Sequence, residues 1–231
     1  MAQSLGRLIE IRQEDGELSG TITCPENILP APGQYLLGQP VRSGTPSSAL
    51  PAVLFPAGLP DHGLPLAAPL PADWQPGEAL ALRGPLGSGF HLPDDKTKIL
   101  LAAPFTPPDR LLPLLMQAMT RGADVAVLSG RVARGLPAAV ELIPLDQAAE
   151  ALLWAEFMAV DLPYRKLEAL FAVFNRQPGQ RWPCPAQALV TLPFPCGGVA
   201  ACGICSVRTR QGWQAACKDG PVFALDDLEV E

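Results

Sequence analysis

Histidine is scarce: two in 231 residues. His62 and His91 both fall in loop-like segments. Neither sits with a nucleophile and a carboxylate in an arrangement that suggests acid–base catalysis. No Ser-His-Asp arrangement, P-loop or dinucleotide fingerprint occurs, so hydrolysis and phosphoryl transfer have no support. Charge is also sparse, at 17% of residues. The net value of −6 and the lack of any Lys/Arg cluster argue against a nucleic-acid partner. No run of 18 apolar residues escapes interruption by proline or charge, so no segment reads as a membrane span. The opening MAQSLGRLIEIRQEDGELSG has no continuous apolar stretch of the signal-peptide kind. The expectation is a cytoplasmic protein whose thiols are kept reduced.

What the chain does have is apolar content (48%) and proline (27 residues), the prolines scattered rather than gathered into a linker. That combination reads as a folded protein rich in short strands and turns, large enough for one or more proper cores. It also has six cysteines, four of them between residues 196 and 217. Cys196, Cys202, Cys205 and Cys217 are spaced C-x5-C-x2-C-x11-C, and the loop PCGGVAACGIC (residues 195–205) that carries the first three is otherwise small and apolar. Thiolates are soft ligands for iron–sulfur clusters, zinc or cuprous ion. Glycines let a backbone take positive φ and wrap a metal core, with amide hydrogens free to meet sulfur. The plant-type ferredoxin pattern is C-x4-C-x2-C with a distant fourth Cys, one residue shorter in its first gap. Zinc sites usually pair two short knuckles, and only Cys202 and Cys205 form one here. A disulfide framework would need an oxidising compartment. An iron–sulfur cluster suits the pattern best, with zinc and disulfides as the rivals.

Upstream, LGRLIEI and LSGTITC flank an Asp15-Gly16 hairpin signal. PGQYLLG (32–38), LPAVLFPAG, LPLAAPL and EALALRG (78–84) add short strands, which together read as a small β-barrel or sandwich. Cys24, at the end of one strand, reads as a small buried hydrophobe. The pattern changes near residue 96. KILLAAP (98–104) and DVAVLSG (124–130) are continuous apolar runs, as in buried parallel strands. Between them Leu111, Leu112, Leu115, Met116 and Met119 fall at helical spacing, closed by Gly122. Pro113 inside that pattern predicts a kink or a later start. AVELIPL, DQAAEALLW, EFMAVDL and the helix YRKLEALFAVFNRQ continue the alternation, with Leu167, Leu170, Phe171 and Phe174 on one helical face. Trp154, Trp182 and Trp213 read as packing or interface residues. The expected architecture is α+β and multidomain: a β-barrel over residues 1–95, an α/β domain with a mostly parallel sheet over 96–180, and a cysteine tail over 181–231.

The tail PCGGVAACGICSVRTRQGWQAACKDGPVF resembles that of the dihydroorotate dehydrogenase electron-transfer subunit family, within the ferredoxin-reductase-like group; KDGPVF is its most distinctive part. PGQY (32–35) is similar to the family's Pro-Gly-Gln-aromatic barrel strand. GPLGSGFHLP (84–93) resembles its glycine-rich link between barrel and nucleotide domain. The resemblance implies FAD on the barrel, a nicotinamide nucleotide on the α/β domain, and a 2Fe-2S cluster held by Cys196, Cys202, Cys205 and Cys217. It also implies electron exchange with a flavoprotein catalytic subunit, dihydroorotate dehydrogenase-like or another redox enzyme. Cys184, in WPCPAQ, is the one substitute ligand on offer, and its stiff flanking prolines, which hold it in a separate segment, argue against it.

Two departures alter what the resemblance implies. Where the family has an Arg and then an aromatic with Ser or Thr for FAD, this chain reads ALPAVLFPAG (49–58), and Arg42 comes too early to align. Where the family has glycines after the first α/β strand, this chain reads AAPFTPPDR (102–110), with few amide donors for phosphate. FAD is therefore expected to be lost or weakly held, and NAD(P) lost, so both older domains are degenerate. The expected function is an iron–sulfur electron-transfer subunit rather than an enzyme alone. A reductase with drifted but working flavin and nucleotide motifs, and a non-redox structural subunit with zinc, are the alternatives.

Overall fold

The computed structural model describes residues 2–14, 16–42, 50–58, 62–131 and 136–230. Strand β1 (Ala2–Glu14) pairs antiparallel with β2 (Glu17–Thr23), Glu14 opposite Glu17. Asp15 of the hairpin signal lies outside the described residues, and Gly16 turns the chain at φ +82°. The Pro-Gly turn leads into β3 (Tyr35–Pro40), with the Gln34 N–H donating to Ala31 O at 2.9 Å. Gly33 there has φ +86°, and a Cβ on it would lie 2.6 Å from Val222 and 2.9 Å from Phe90, so only glycine fits. The short β4 (Ala52–Leu54) and β5 (Leu64–Leu66) and the longer β6 (Ala79–Leu86) complete a six-stranded antiparallel sheet in the order β4-β3-β6-β1-β2-β5. It curls into a half-barrel whose two edges meet at one bridge, Pro56 with Leu66, flanked by hydrogen bonds from Ala57 N–H to Pro65 O and from Ala67 N–H to Phe55 O, both 2.9 Å.

Alternation decides what each barrel strand faces. Leu36, Leu54, Leu80 and Leu82 fill the barrel with Leu8, Ile22 and Trp74. Tyr35 and Leu37, one step out of phase on β3, belong to a different core, shared with the rest of the chain. Arg42 lies away from that shared face, pairing with Asp73 and Glu78, each at 2.9 Å. Glu78 is held below the usual carboxylate range, chiefly by its hydrogen bond from Arg42.

The second sheet begins with β7 (Lys98–Ala103). A 3₁₀ turn (Pro108–Leu111) then leads into α1 (Leu112–Thr120), so the helix starts late, as Pro113 requires; near an N-terminus its missing N–H costs no helical bond. Gly122, at φ +75°, ends the helix with its N–H on Met119 O at 2.9 Å. β8 (Asp124–Ser129), β9 (Glu141–Ile143), α2 (Ala148–Trp154), β10 (Phe157–Pro163), α3 (Leu167–Val173) and β11 (Ala186–Thr191) follow. Beyond them come a hairpin of β12 (Ser206–Thr209) and β13 (Gly212–Ala215), and last β14 (Val222–Ala224). The sheet order is β14-β11-β10-β7-β8-β9, parallel except for β14 against β11.

Side chains alternating along the parallel strands build one core against α1 and another against α2 and α3. On α3, Leu167, Leu170 and Phe171 are buried, with Phe174 just beyond. Trp182 stacks on Phe171 (5.3 Å between centroids) and meets Phe174 edge-on (5.6 Å), so it is a packing residue. Trp213, by contrast, is 63% exposed on the hairpin. Because β14 joins the α/β sheet, the cysteine-bearing segment between β11 and β14 is anchored at both ends. Its core is continuous with that of the sheet and with Tyr35 and Leu37 of the barrel.

Candidate metal centre

Residues 196–205 form the loop that leaves β11 and enters β12. Its backbone turns repeatedly into the left-handed region, at Gly197 (φ +64°), Gly198 (+71°), Ala200 (+58°) and Gly203 (+70°). Left-handed turns of this kind free backbone N–H groups to point into a concavity. Ala200 adopts a conformation uncommon for a residue with a Cβ, which the surrounding loop imposes. Cys202 is exposed, Cys196 half-buried, and Cys205 and Cys217 are 0% and 2% exposed.

The thiols gather in two contacting pairs, Cys196 with Cys202 and Cys205 with Cys217. Cys196 receives the Ala201 N–H, which does most to hold its thiol down to about 6. The Val199 and Cys202 amides and the Cys202 thiol act the same way, and burial opposes them. Burial pushes Cys217 up to about 12, followed by its hydrogen bond with Cys205 and the charges of Cys205 and Cys196, against the Ala200 N–H. The four sequence-predicted cysteines are thus brought to one place, with amides pointing at sulfur. Among the described residues, no three His, Cys, Asp or Glu side chains converge as one metal ion would need. Cys24 and Cys184 lie elsewhere, each raised to about 11 by burial, Cys184 with a smaller push from Asp226.

Two barrel side chains hold this segment. The Tyr35 hydroxyl, fully buried, donates to Cys217 O at 2.6 Å. Arg83, opposite Leu37 in the β3–β6 register, donates through Nη2 to Gly197 O. The loop approaches closely enough that a Cβ on Gly198 would lie 2.9 Å from the Tyr35 hydroxyl, and one on Gly197 would lie 3.1 Å from Pro51. Tyr35 also packs on Phe194 (5.3 Å) and Phe55 (5.8 Å). Burial, and then Cys217 and Cys205, push its phenol up, so it stays a neutral donor. Neither the Tyr35 hydroxyl nor Arg83 was legible as a site group. The available signal was a lone cation in the apolar strand ALALRGPL (79–86).

A cleft of about 740 Å³ lies between barrel and α/β sheet, beside the C-terminal ends of β10 and β11, where open α/β sheets take ligands. Its barrel wall is built from Ala52, Val53 and Phe55 and from the segment 67–71, with neither cation nor hydroxyl. Arg110 reaches it from the AAPFTPPDR turn, but its guanidinium forms a fork with Asp161 (2.8 and 3.2 Å). Asp161 is fully buried at the end of β10. Arg110 also lies over the Phe55 ring at 5.9 Å. Arg165 stands exposed at the rim. In the AAPFTPPDR turn, Pro107 and Pro108 carry no N–H, and the Arg110 guanidinium is paired with Asp161.

Residues 196–229 match the iron-sulfur cluster binding domain of dihydroorotate dehydrogenase B. That span carries all four clustered cysteines and reaches β14. No curated protein matches the chain. Among solved structures, the NADH-dependent reduced ferredoxin-NADP oxidoreductase, described for flavin-based electron bifurcation, superposes with a TM-score of 0.75. It is 16% identical over 98% of this chain and 90% of its own. The ferredoxin reductase in carbazole 1,9a-dioxygenase gives 0.59 at 14% identity, over 75% of this chain and 65% of its own. An intact type IV self-sufficient cytochrome P450 monooxygenase gives 0.58 at 14% identity, over 90% of this chain and 36% of its own. The fold is ferredoxin-reductase-like. The tail, KDGPVF included, is related by sequence to an iron–sulfur domain, and the resemblance drawn from it stands. No helix among the described residues is long and apolar enough to cross a membrane.

Proposed function

We propose that this chain is an iron–sulfur electron-transfer subunit whose 2Fe-2S cluster is held by Cys196, Cys202, Cys205 and Cys217. The observation that carries the reading is the gathering of those thiols as two pairs in a loop whose amides face sulfur, inside the span matched to an iron–sulfur domain. Two pairs suit a centre of two irons, each taking two thiolates, whereas a structural zinc ion needs four ligands around one point. When bound, the cluster supplies one-electron transfer. The chain's own residues shape its surroundings: amides of Val199, Ala200 and Ala201 stabilise thiolate, Phe194 and Tyr35 exclude water on one side, and Cys202 lies open on the other.

We infer further that FAD and NAD(P) are not usefully retained, because Val53 and Phe55 stand on the barrel wall where a cation and a hydroxyl are expected, Arg110 is neutralised by Asp161, and Pro107 and Pro108 offer no amide hydrogens. Each missing charge-assisted hydrogen bond to phosphate is worth about 1.5 to 3 kcal/mol, roughly one to two decades of affinity. A second reading, a reductase that keeps its flavin, rests on the cleft itself. The absorption spectrum of anaerobically purified protein decides between them. A red-brown spectrum with matching iron and acid-labile sulfide and no flavin released on denaturation is the expected result. Stoichiometric FAD, or NADH-driven reduction of the cluster by the isolated chain, would establish the second reading, and a colourless zinc protein would overturn both.

The partner is a separate flavoprotein, docked at the cluster loop. Val199 (54% exposed) and Ile204 (58%) present apolar surface on the loop that carries the exposed Cys202. Ala201, exposed among them, is a place where a charge would meet the partner without touching a ligand side chain. Ala201→Glu is expected to weaken the complex at least tenfold in a binding titration while leaving iron content unchanged. A complex indifferent to that change would place the docking surface elsewhere.

A further inference from the structure

Arg83 is a polar group that packing alone does not account for. It is partly buried on β6, where its neighbours Leu82 and Gly84 are core positions. Its Nη2 donates to Gly197 O, the carbonyl next to Cys196, and lies 3.9 Å from where a Gly198 Cβ would be. Its Nε is buried with no hydrogen-bond partner. Among the described residues no carboxylate forms an ion pair with it, unlike Arg42 and Arg110, which are neutralised. A partly buried cation with a spare donor is costly to keep unless negative charge arrives beside it. The cluster's thiolates are that charge, and one-electron reduction adds another unit of it.

We propose that Arg83 is a positioning residue that raises the reduction potential of the cluster. Its guanidinium favours the more negative, reduced state, and its bond to Gly197 O keeps the first ligand loop against the barrel. Tyr35, the companion clamp on Cys217 O, is neutral, so it orders the loop without the charge effect. A face of the barrel thereby acts on the cluster electrostatically. The inference rests on the cluster assignment above and goes beyond it.

The test is an anaerobic redox titration of the cluster, followed by electron paramagnetic resonance, in wild type, Arg83→Gln, Arg83→Lys and Tyr35→Phe, with iron and sulfide measured on each. Arg83→Gln is expected to keep the cluster at a more negative midpoint potential. Arg83→Lys, which keeps the charge, and Tyr35→Phe, which removes none, are expected to stay much closer to wild type. If Arg83→Gln cannot hold a cluster, retention in Arg83→Lys still supports a role for the charge. A full cluster at unchanged potential in Arg83→Gln overturns the proposal, as does cluster loss in both Arg83 variants, which would assign Arg83 only the geometry of its fork. Wild type without iron and sulfide would instead bring down the cluster assignment itself.

Discussion

Serine in place of Cys217 is expected to leave the purified protein without its cluster. A hydroxyl is a harder and far less acidic ligand than a thiol, so it stays protonated where a thiolate would bind iron. Cys217 is 2% exposed and paired with the fully buried Cys205, so water cannot easily supply the missing ligand. The same loss is expected for Cys196→Ser, Cys202→Ser and Cys205→Ser, each of which leaves one thiol of a pair alone. Cys24→Ser and Cys184→Ser are expected to retain full iron and sulfide, since neither belongs to the two contacting thiol pairs. Iron and acid-labile sulfide per chain, with the visible spectrum, make the measurement. Full occupancy in Cys217→Ser would show that the ligand set is wrong.

Arg110→Met is expected to destabilise the chain by about 3 to 5 kcal/mol, the usual cost of breaking a buried ion pair from one side. Asp161 is fully buried, and the fork from Arg110 at 2.8 and 3.2 Å supplies its charge-assisted hydrogen bonds. Without the guanidinium the carboxylate must bury an unpaired charge or take up a proton, and either is unfavourable. The double variant Arg110→Met with Asp161→Leu is expected to recover much of that loss, because it removes both desolvated charges together. Denaturant midpoints at equal cluster loading, read by tryptophan fluorescence, test both variants. A single variant as stable as wild type would mean that water or another group reaches Asp161 after the cut. The pair also bears on function, since it occupies the one guanidinium that the AAPFTPPDR turn offers to the cleft.

Local patterns were legible wherever a periodicity had one interpretation. The unbroken apolar run of KILLAAP can only be a strand covered on both faces, and it is β7. Leu111 to Met119 repeat at helical spacing, and Pro113 marks where the helix may begin, at Leu112. The helix read from YRKLEALFAVFNRQ is shorter in the structure, Leu167–Val173 after a 3₁₀ turn, because Pro163 and the turn at Asn175 (φ +52°) bound it. The cysteine spacing and KDGPVF identified the tail unaided, since ligand type and spacing are properties of the chain itself.

Contacts between distant segments were beyond that reach. Tyr35 and Cys217 are 182 residues apart and Arg83 and Gly197 are 114 apart, so no local pattern connects them. Arg110 and Asp161 are 51 residues apart, and only the folded chain shows them paired. The sequence by itself determined the cysteine spacing of the tail, the order of the elements and the type of fold, because spacing, periodicity and turn chemistry are encoded along the chain. The tertiary structure alone decided which charges are paired, which donors are left over, and that the barrel's outer face clamps the cysteine loop. Those outcomes depend on β3, β6 and the 196–205 loop meeting through space, where burial removes the water that would otherwise have satisfied each group separately.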